Sequence, residues 1–178
     1  MAELQGVVGV ASPQDWLKAP APALLLPAGE AMLLALEAAA ASMGGLERCT
    51  FKWKVATAPD VLERQLLEQL LQRLPPTARL RLDANGGWDR STAEAWMQRL
   101  RDDPHLEWLE QPLAVEDQAG LEQLAALGPV ALDESLDQHP ELRRSWSGWQ
   151  VRRPALEGDP RLLLRELQAG IPQRMLST

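Results

Sequence analysis

Short apolar runs alternate with amphipathic stretches along this chain, the pattern of repeated βα units feeding a parallel sheet. The first run is Ala23-Leu24-Leu25-Leu26, and a helix is predicted from Ala28 to a stop at Gly44-Gly45. A strand is expected over Cys49 to Val55. Pro59 then opens a helix in which Leu62, Leu66, Leu70 and Leu74 recur every four residues beside Leu67 and Leu71, and Pro75-Pro76 ends it. The next strand is predicted over Arg79 to Asp83, followed by a helix from Ser91, where Ser91 and Glu94 have capping-box spacing. Leu106 to Glu110 reads as a strand, and the helix after it carries Leu121, Leu124 and Leu127 up to Gly128. Val130 to Asp133 is a further strand, with a short helix near Pro140 to Arg144. Trp149 to Arg153 is the next, and its helix takes Asp159 as N-cap, Pro160 as first residue and Gly170 as stop. A last strand-like run spans Gln173 to Ser177.

Such repeats build either a (β/α)₈ barrel or a doubly wound open sheet. No Gly-x-Gly-x-x-Gly or Walker-type loop follows any of the strands, which removes the usual nucleotide-binding markers. Residues 1–20 hold Gly6, Gly9, Pro13 and Pro20 and read as a linker or the remnant of a preceding domain, with the βα units over 21–178.

Composition narrows the partners. With 178 residues and 46% apolar content, the chain has the length and hydrophobicity to bury a core. A formal charge of −7 argues against nucleic acid, whose phosphates need a clustered basic surface. The longest apolar stretch, from Ala21 to Met43, is broken by Pro22, Pro27, Glu30 and Glu37, so no membrane span is expected. The N-terminus has no basic leader segment, and the cytoplasm is the expected compartment. Cys49 is the one cysteine and lies in an apolar run, which reads as a buried, inert thiol in a reducing environment.

The chemistry lies at the strand ends. Leu80-Arg81-Leu82-Asp83, Trp108-Leu109-Glu110 and Ala131-Leu132-Asp133 each finish in a carboxylate, with steps of about one βα unit between them. Adjacent parallel strands of a barrel would bring all three to the C-terminal rim, where such folds place their sites. Clustered carboxylates repel unless a cation neutralises them, and an all-oxygen set favours a hard ion such as Mg²⁺, with Mn²⁺ as an alternative. Each acid taken alone can equally be a helix N-cap or a solvated loop charge. Lys52 and Lys54 alternate along one strand and so share a face. If that face is inward, one ammonium lowers the pKa of the other toward a base's working range; if it is outward, Phe51, Trp53 and Val55 pack instead. By the same parity Arg81 shares the face of Asp83, and Ser177 that of Met175.

In order and spacing, Phe51-Lys52-Trp53-Lys54, Arg81-Leu82-Asp83-Ala84-Asn85, Leu109-Glu110-Gln111-Pro112 and Leu132-Asp133-Glu134-Ser135 resemble the barrel motifs of the enolase superfamily. Val151-Arg152-Arg153-Pro154-Ala155 with Gly158-Asp159-Pro160 is similar to its sixth-strand segment. Leu25-Leu26-Pro27-Ala28-Gly29 and Leu176-Ser177-Thr178 resemble the first and seventh strands of the o-succinylbenzoate synthases within it. The resemblance covers residues 21–178 and implies an α/β fold: an incomplete TIM-type (β/α) barrel of about seven parallel strands, lacking most of an N-terminal capping domain and the last strand.

It further implies a small-molecule carboxylate substrate that loses the proton next to its carboxylate, with Mg²⁺ stabilising the enediolate. Asp83, Glu110 and Asp133 would be the metal ligands, Lys54 the general base, and Lys52 the group that depresses the base's pKa. The reaction would be dehydration of a cyclohexadiene carboxylate to o-succinylbenzoate in quinone biosynthesis. Dipeptide epimerase or N-acylamino acid racemase chemistry, and a non-catalytic remnant that only binds, are the alternatives. Arg153 departs from the family, which usually has a second lysine there; an arginine stays protonated, so it stabilises charge and cannot be a second base. Arg81 and Ser177 are expected to hold the substrate's second carboxylate. His105 and His139 are read as solvated and the tryptophans as core, Trp149 excepted. An unclosed barrel would expose strand edges and favour self-association.

Overall fold

The computed structural model describes residues 22–43 and 49–177. The linker or remnant expected over residues 1–20, the Gly44-Gly45 stop and Thr178 therefore lie outside the described residues. Seven strands, β1 (Leu24–Leu26), β2 (Thr50–Lys54), β3 (Arg79–Asp83), β4 (Leu106–Glu110), β5 (Val130–Leu132), β6 (Trp149–Arg152) and β7 (Arg174–Leu176), form one sheet in sequential order. Every neighbouring pair is parallel. The helices are α1 (Ala31–Met43), α2 (Asp60–Leu71), α3 (Arg90–Leu100), α4 (Gln118–Ala125), α5 (Glu134–Gln138), α6 (Leu142–Ser145) and α7 (Arg161–Gln168). The order never reverses, which excludes a doubly wound sheet, whose strand order must switch direction. The architecture is an incomplete (β/α) barrel.

Residue alternation divides the sheet into two faces. Phe51, Trp53, Leu80, Leu82 and Leu109 are fully buried in the main apolar cluster, together with helix residues Leu66, Leu67, Leu70, Trp96 and Met97. The opposite face carries a smaller cluster of Trp108, Ala131 and Val151, packed by Trp149 and Met175. Trp108 and Trp149 pack there with their rings tilted by 32° and centroids 4.6 Å apart. This second face is the inside of the barrel.

Several local expectations are corrected. Helix α3 starts one residue before Ser91, and its cap is Asp89, whose carboxylate accepts the Thr92 N–H at 2.7 Å. The helix expected near Pro140 is two short pieces, α5 and α6. At α7 the cap position falls on Pro160, and Asp159 Oδ1 accepts the Arg161 N–H at 3.0 Å from one residue further out. His105 is buried, with Nδ1 3.1 Å from the Ala78 carbonyl, because it closes the turn into β4. Cys49 is half-buried. Among the described residues no helix is long and apolar enough to cross a membrane.

Candidate functional site

Parallel pairing carries side chains of one face from strand to strand, so register decides which residues meet. Lys52 is paired with Arg81, Lys54 with Asp83, and Asp83 with Glu110. All five share the face of Trp108 and Ala131, the barrel interior. Asp133 follows Ala131 at the same parity, and Arg153 follows Val151.

The chain leaves the rim sharply at three successive strands. Ala56, Asn85 and Gln111, just beyond β2, β3 and β4, have φ of 58°, 46° and 38°. Such left-handed backbone in non-glycine residues persists where surrounding bonds over-determine it. Beyond β2 the lock is Glu63, a buried carboxylate that accepts the N–H groups of Ala56, Thr57 and Ala58 at 2.8, 2.9 and 3.1 Å. Gly87 matters here for closeness alone, since a Cβ on it would lie 2.8 Å from the Ala56 Cβ.

Lys52 is the hub of the site. Its Nζ donates to Glu110 Oε1 at 2.7 Å and lies 2.8 Å from Asp83 Oδ2. Burial pulls this amine's pKa down, but Glu110 and Asp83 outweigh it and the net direction is up, so Lys52 is an ammonium. Glu110 is pushed up by burial and by Asp83, against the opposing pull of Lys52. Its other oxygen, Oε2, accepts from the Trp108 indole N–H at 3.3 Å. Asp133 is raised to about 7 by burial, Glu134 and Glu110, even though Arg153 pairs with it. Arg153 also donates to Asp137 Oδ2 at 3.2 Å.

Among the described residues no three acidic, histidine or cysteine groups meet as metal ligands. The cause is visible: Lys52 bridges Asp83 and Glu110, and Arg153 covers one oxygen of Asp133. The donor set nevertheless suits a hard divalent cation. Asp83, Glu110 and Asp133 share only two ion-paired cations, Lys52 and Arg153, and Asp133 Oδ1 is buried without a hydrogen-bond partner. An ion there would compete with Lys52 and Arg153 for these oxygens.

The remaining expected residues divide. Lys54 shares the inward face but stands exposed at the rim. Arg81 lies one turn of pleat below the rim, its guanidinium 4.1 Å from the Trp108 ring centroid and its Nε donating to Glu107 Oε2 at 2.6 Å. It sits at the level of its strand partner Lys52, with its charge already paired. A register irregularity explains why: Leu80 pairs with Leu106 and Arg81 with Trp108, which leaves Glu107 as the extra residue. Ser177 is half-buried beyond β7, its N–H donating to the Arg152 carbonyl at 2.8 Å. His139 is half-buried, 3.5 Å from Glu141. Sequence reasoning missed Gln111, Glu63 and Glu107; the quoted motif contained Gln111 but attached no role to it.

Comparison with known proteins follows the same residues. Positions 34–148 match the family model described as enolase C-terminal domain-like. An o-succinylbenzoate synthase from Thermosynechococcus vestitus is 43% identical over 138 residues, 71% of this chain and 42% of that protein. A hydrophobic dipeptide epimerase from Flavobacteria bacterium (strain MS024-2A) is 38% identical over 76 residues, 41% of this chain and 22% of that protein. A solved o-succinylbenzoate synthase from Thermosynechococcus elongatus BP-1, complexed with magnesium in its active site, superposes with a TM-score of 0.76 at 35% identity. That superposition covers 93% of this chain and 54% of the solved one. The chain spans less than half the length of the two curated relatives.

Proposed function

From the premise that this chain belongs to the enolase C-terminal domain-like family, we propose that its site dehydrates 2-succinyl-6-hydroxy-2,4-cyclohexadiene-1-carboxylate to o-succinylbenzoate. The observation that carries this reading is the inward row of Lys52, Lys54, Asp83 and Glu110 on neighbouring strands, faced by Asp133 and Arg153 further round the sheet. Asp83, Glu110 and Asp133 are the residues that would hold Mg²⁺. Bound there, the ion supplies positive charge next to the substrate carboxylate, offsetting the negative charge that builds as the α-proton leaves.

In this reading Lys54 takes that proton. The electron pair moves into the ring, the neighbouring carbon–oxygen bond breaks, and the same amine returns the proton to the departing hydroxyl, so that water leaves and the ring becomes aromatic. Lys52, held charged by two carboxylates, keeps a positive field beside Lys54. Arg153 fixes a permanent cation on the other side of the site. Its pKa stays above its usual value, burial being outweighed by Asp133 and Asp137, so it cannot act as a second base. Epimerisation requires a proton donor and acceptor on each face, and that observation disfavours it. The domain limits proposed are the barrel over residues 21–178, with residues 1–20 as a linker or a remnant of a preceding domain.

Two measurements test the reading. A dipeptide or N-acylamino acid incubated with the chain and Mg²⁺ in D₂O should not racemise; label entering with both configurations would replace the one-base scheme by an epimerase. Mg²⁺ at a hundred times its Kd should stabilise the fold by about 2.7 kcal/mol, seen as a higher Tm. Asp133→Asn should lose most of that gain. An identical magnesium response in the variant would remove Asp133 from the ligand set, and no response in the wild type would favour a non-catalytic module.

A further inference from the structure

We propose that Gln111 is a positioning residue: it caps helix α5 in place of Asp133, and so keeps the Asp133 carboxylate available to a metal ion. This rests on the magnesium reading above. Asp133 occupies the N-cap position of α5, where an aspartate ordinarily accepts the N–H of the second or third helical residue. Here its side chain makes no such bond. The first N–H groups of a helix still need acceptors. Gln111 Oε1 provides one, accepting the Ser135 N–H at 3.1 Å and the Asp133 N–H at 3.2 Å.

The other end of the amide completes the arrangement. Gln111 Nε2 donates to Ser135 Oγ at 2.8 Å and to the Leu113 carbonyl at 2.9 Å. Both lone pairs and both donors of the side chain are thus used, in a residue that is 0% exposed. Its own N–H donates to the Ala131 carbonyl at 2.8 Å, and its φ of 38° costs conformational energy that this bonding offsets. One side chain therefore ties the end of β4, which carries Glu110, to the end of β5, which carries Asp133. The consequence at Asp133 is direct: relieved of capping, its carboxylate keeps Oδ1 buried and without a partner.

Gln111→Met keeps length and volume but removes every polar contact of the side chain. In the full chain, Mg²⁺ affinity by titration calorimetry should fall by about tenfold, the lower range for removing a partner that orients a metal ligand. Gln111→Glu keeps an acceptor for both N–H groups, and the Ser135 hydroxyl can rotate to donate to it, but the donor to the Leu113 carbonyl is lost, so affinity should fall less than in Gln111→Met. Amide exchange at Asp133 and Ser135 should quicken in Gln111→Met and hold in Gln111→Glu. In an Asp133→Asn background, Gln111→Met should cost no further affinity, an outcome that general loosening of the fold does not produce. If Gln111→Met does not fold, Gln111→Asn, too short to reach both N–H groups, carries the same expectation. Wild-type Mg²⁺ affinity in a folded Gln111→Met or Gln111→Asn would overturn the positioning role while leaving the metal site standing. A wild-type chain that binds no Mg²⁺ would overturn both.

Discussion

Replacing Lys54 with alanine should lower the dehydration rate by about 10²–10⁴-fold, the range that a positioned general base contributes. The metal-free Tm should barely move. Lys54 is exposed at the rim, so its truncation removes no core contact, and substitutions of that kind stay within about 0.5 kcal/mol. Lys52 offers no such clean test: its removal would leave Glu110 and Asp83 facing each other without their shared cation. Rates of wild type and Lys54→Ala, measured with saturating Mg²⁺, decide the matter. Equal rates would take Lys54 out of the chemistry and leave the proton transfer without an assigned base.

Arg152→Ala should cost about 3–5 kcal/mol of stability, the usual penalty for removing one partner from a buried ion pair. Arg152 is on the outer face of β6 and is 1% exposed. Its Nε donates to Glu157 Oε1 at 2.7 Å, and Nη1 donates to Glu166 Oε2 on α7 at 3.1 Å and to Gln150 Oε1 at 3.2 Å. Without it, both carboxylates would be left partly buried, with only Arg143 and Arg174 nearby. Burial raises the Glu157 pKa, but bonding to Arg152 and the charge of Arg143 outweigh it and the net direction is down. A depressed carboxyl stabilises the fold above its unfolded pKa of about 4.3, and that contribution fades as pH falls through the lower folded value. Urea unfolding at pH 7 and pH 3 should show the Arg152→Ala deficit shrinking in acid. A deficit below 1 kcal/mol at pH 7 would mean that α7 is not held to the sheet by this cluster.

The neighbouring arginines show how far pattern reading goes. Alternation assigns Arg153 to the inner face and Arg152 to the outer one, and the structure agrees. The same alternation says nothing of what covers each face. Helix α7 lies over the outward Arg152, whose Nη1 donates to Glu166 on that helix. His105 was misread for a similar reason: a polar residue before a strand resembles a loop residue until the Ala78 carbonyl is found beside it. Arg81 shares the face of Asp83 as parity requires, but its depth below the rim and its pairing with Glu107 arise from a bulge that hydrophobic periodicity does not reveal.

Periodicity, capping residues and strand-end carboxylates were enough to read seven strands, each but the last followed by a helix, and to put Lys52 with Lys54, and Arg81 with Asp83, on shared faces, because these are local properties with a repeat of two or of 3.6 residues. That the lysines face inward beside Asp83 and Glu110 is decided by the strand register. Which carboxylate is capped, bridged or left open depends on groups distant in the chain: Lys52 reaches Glu110 across 58 positions, and Gln111 takes over the cap of α5 from 24 positions away. Those contacts exist only after the strands have aligned, since a hydrogen bond needs about 3 Å and a direction, and no one-dimensional pattern carries either.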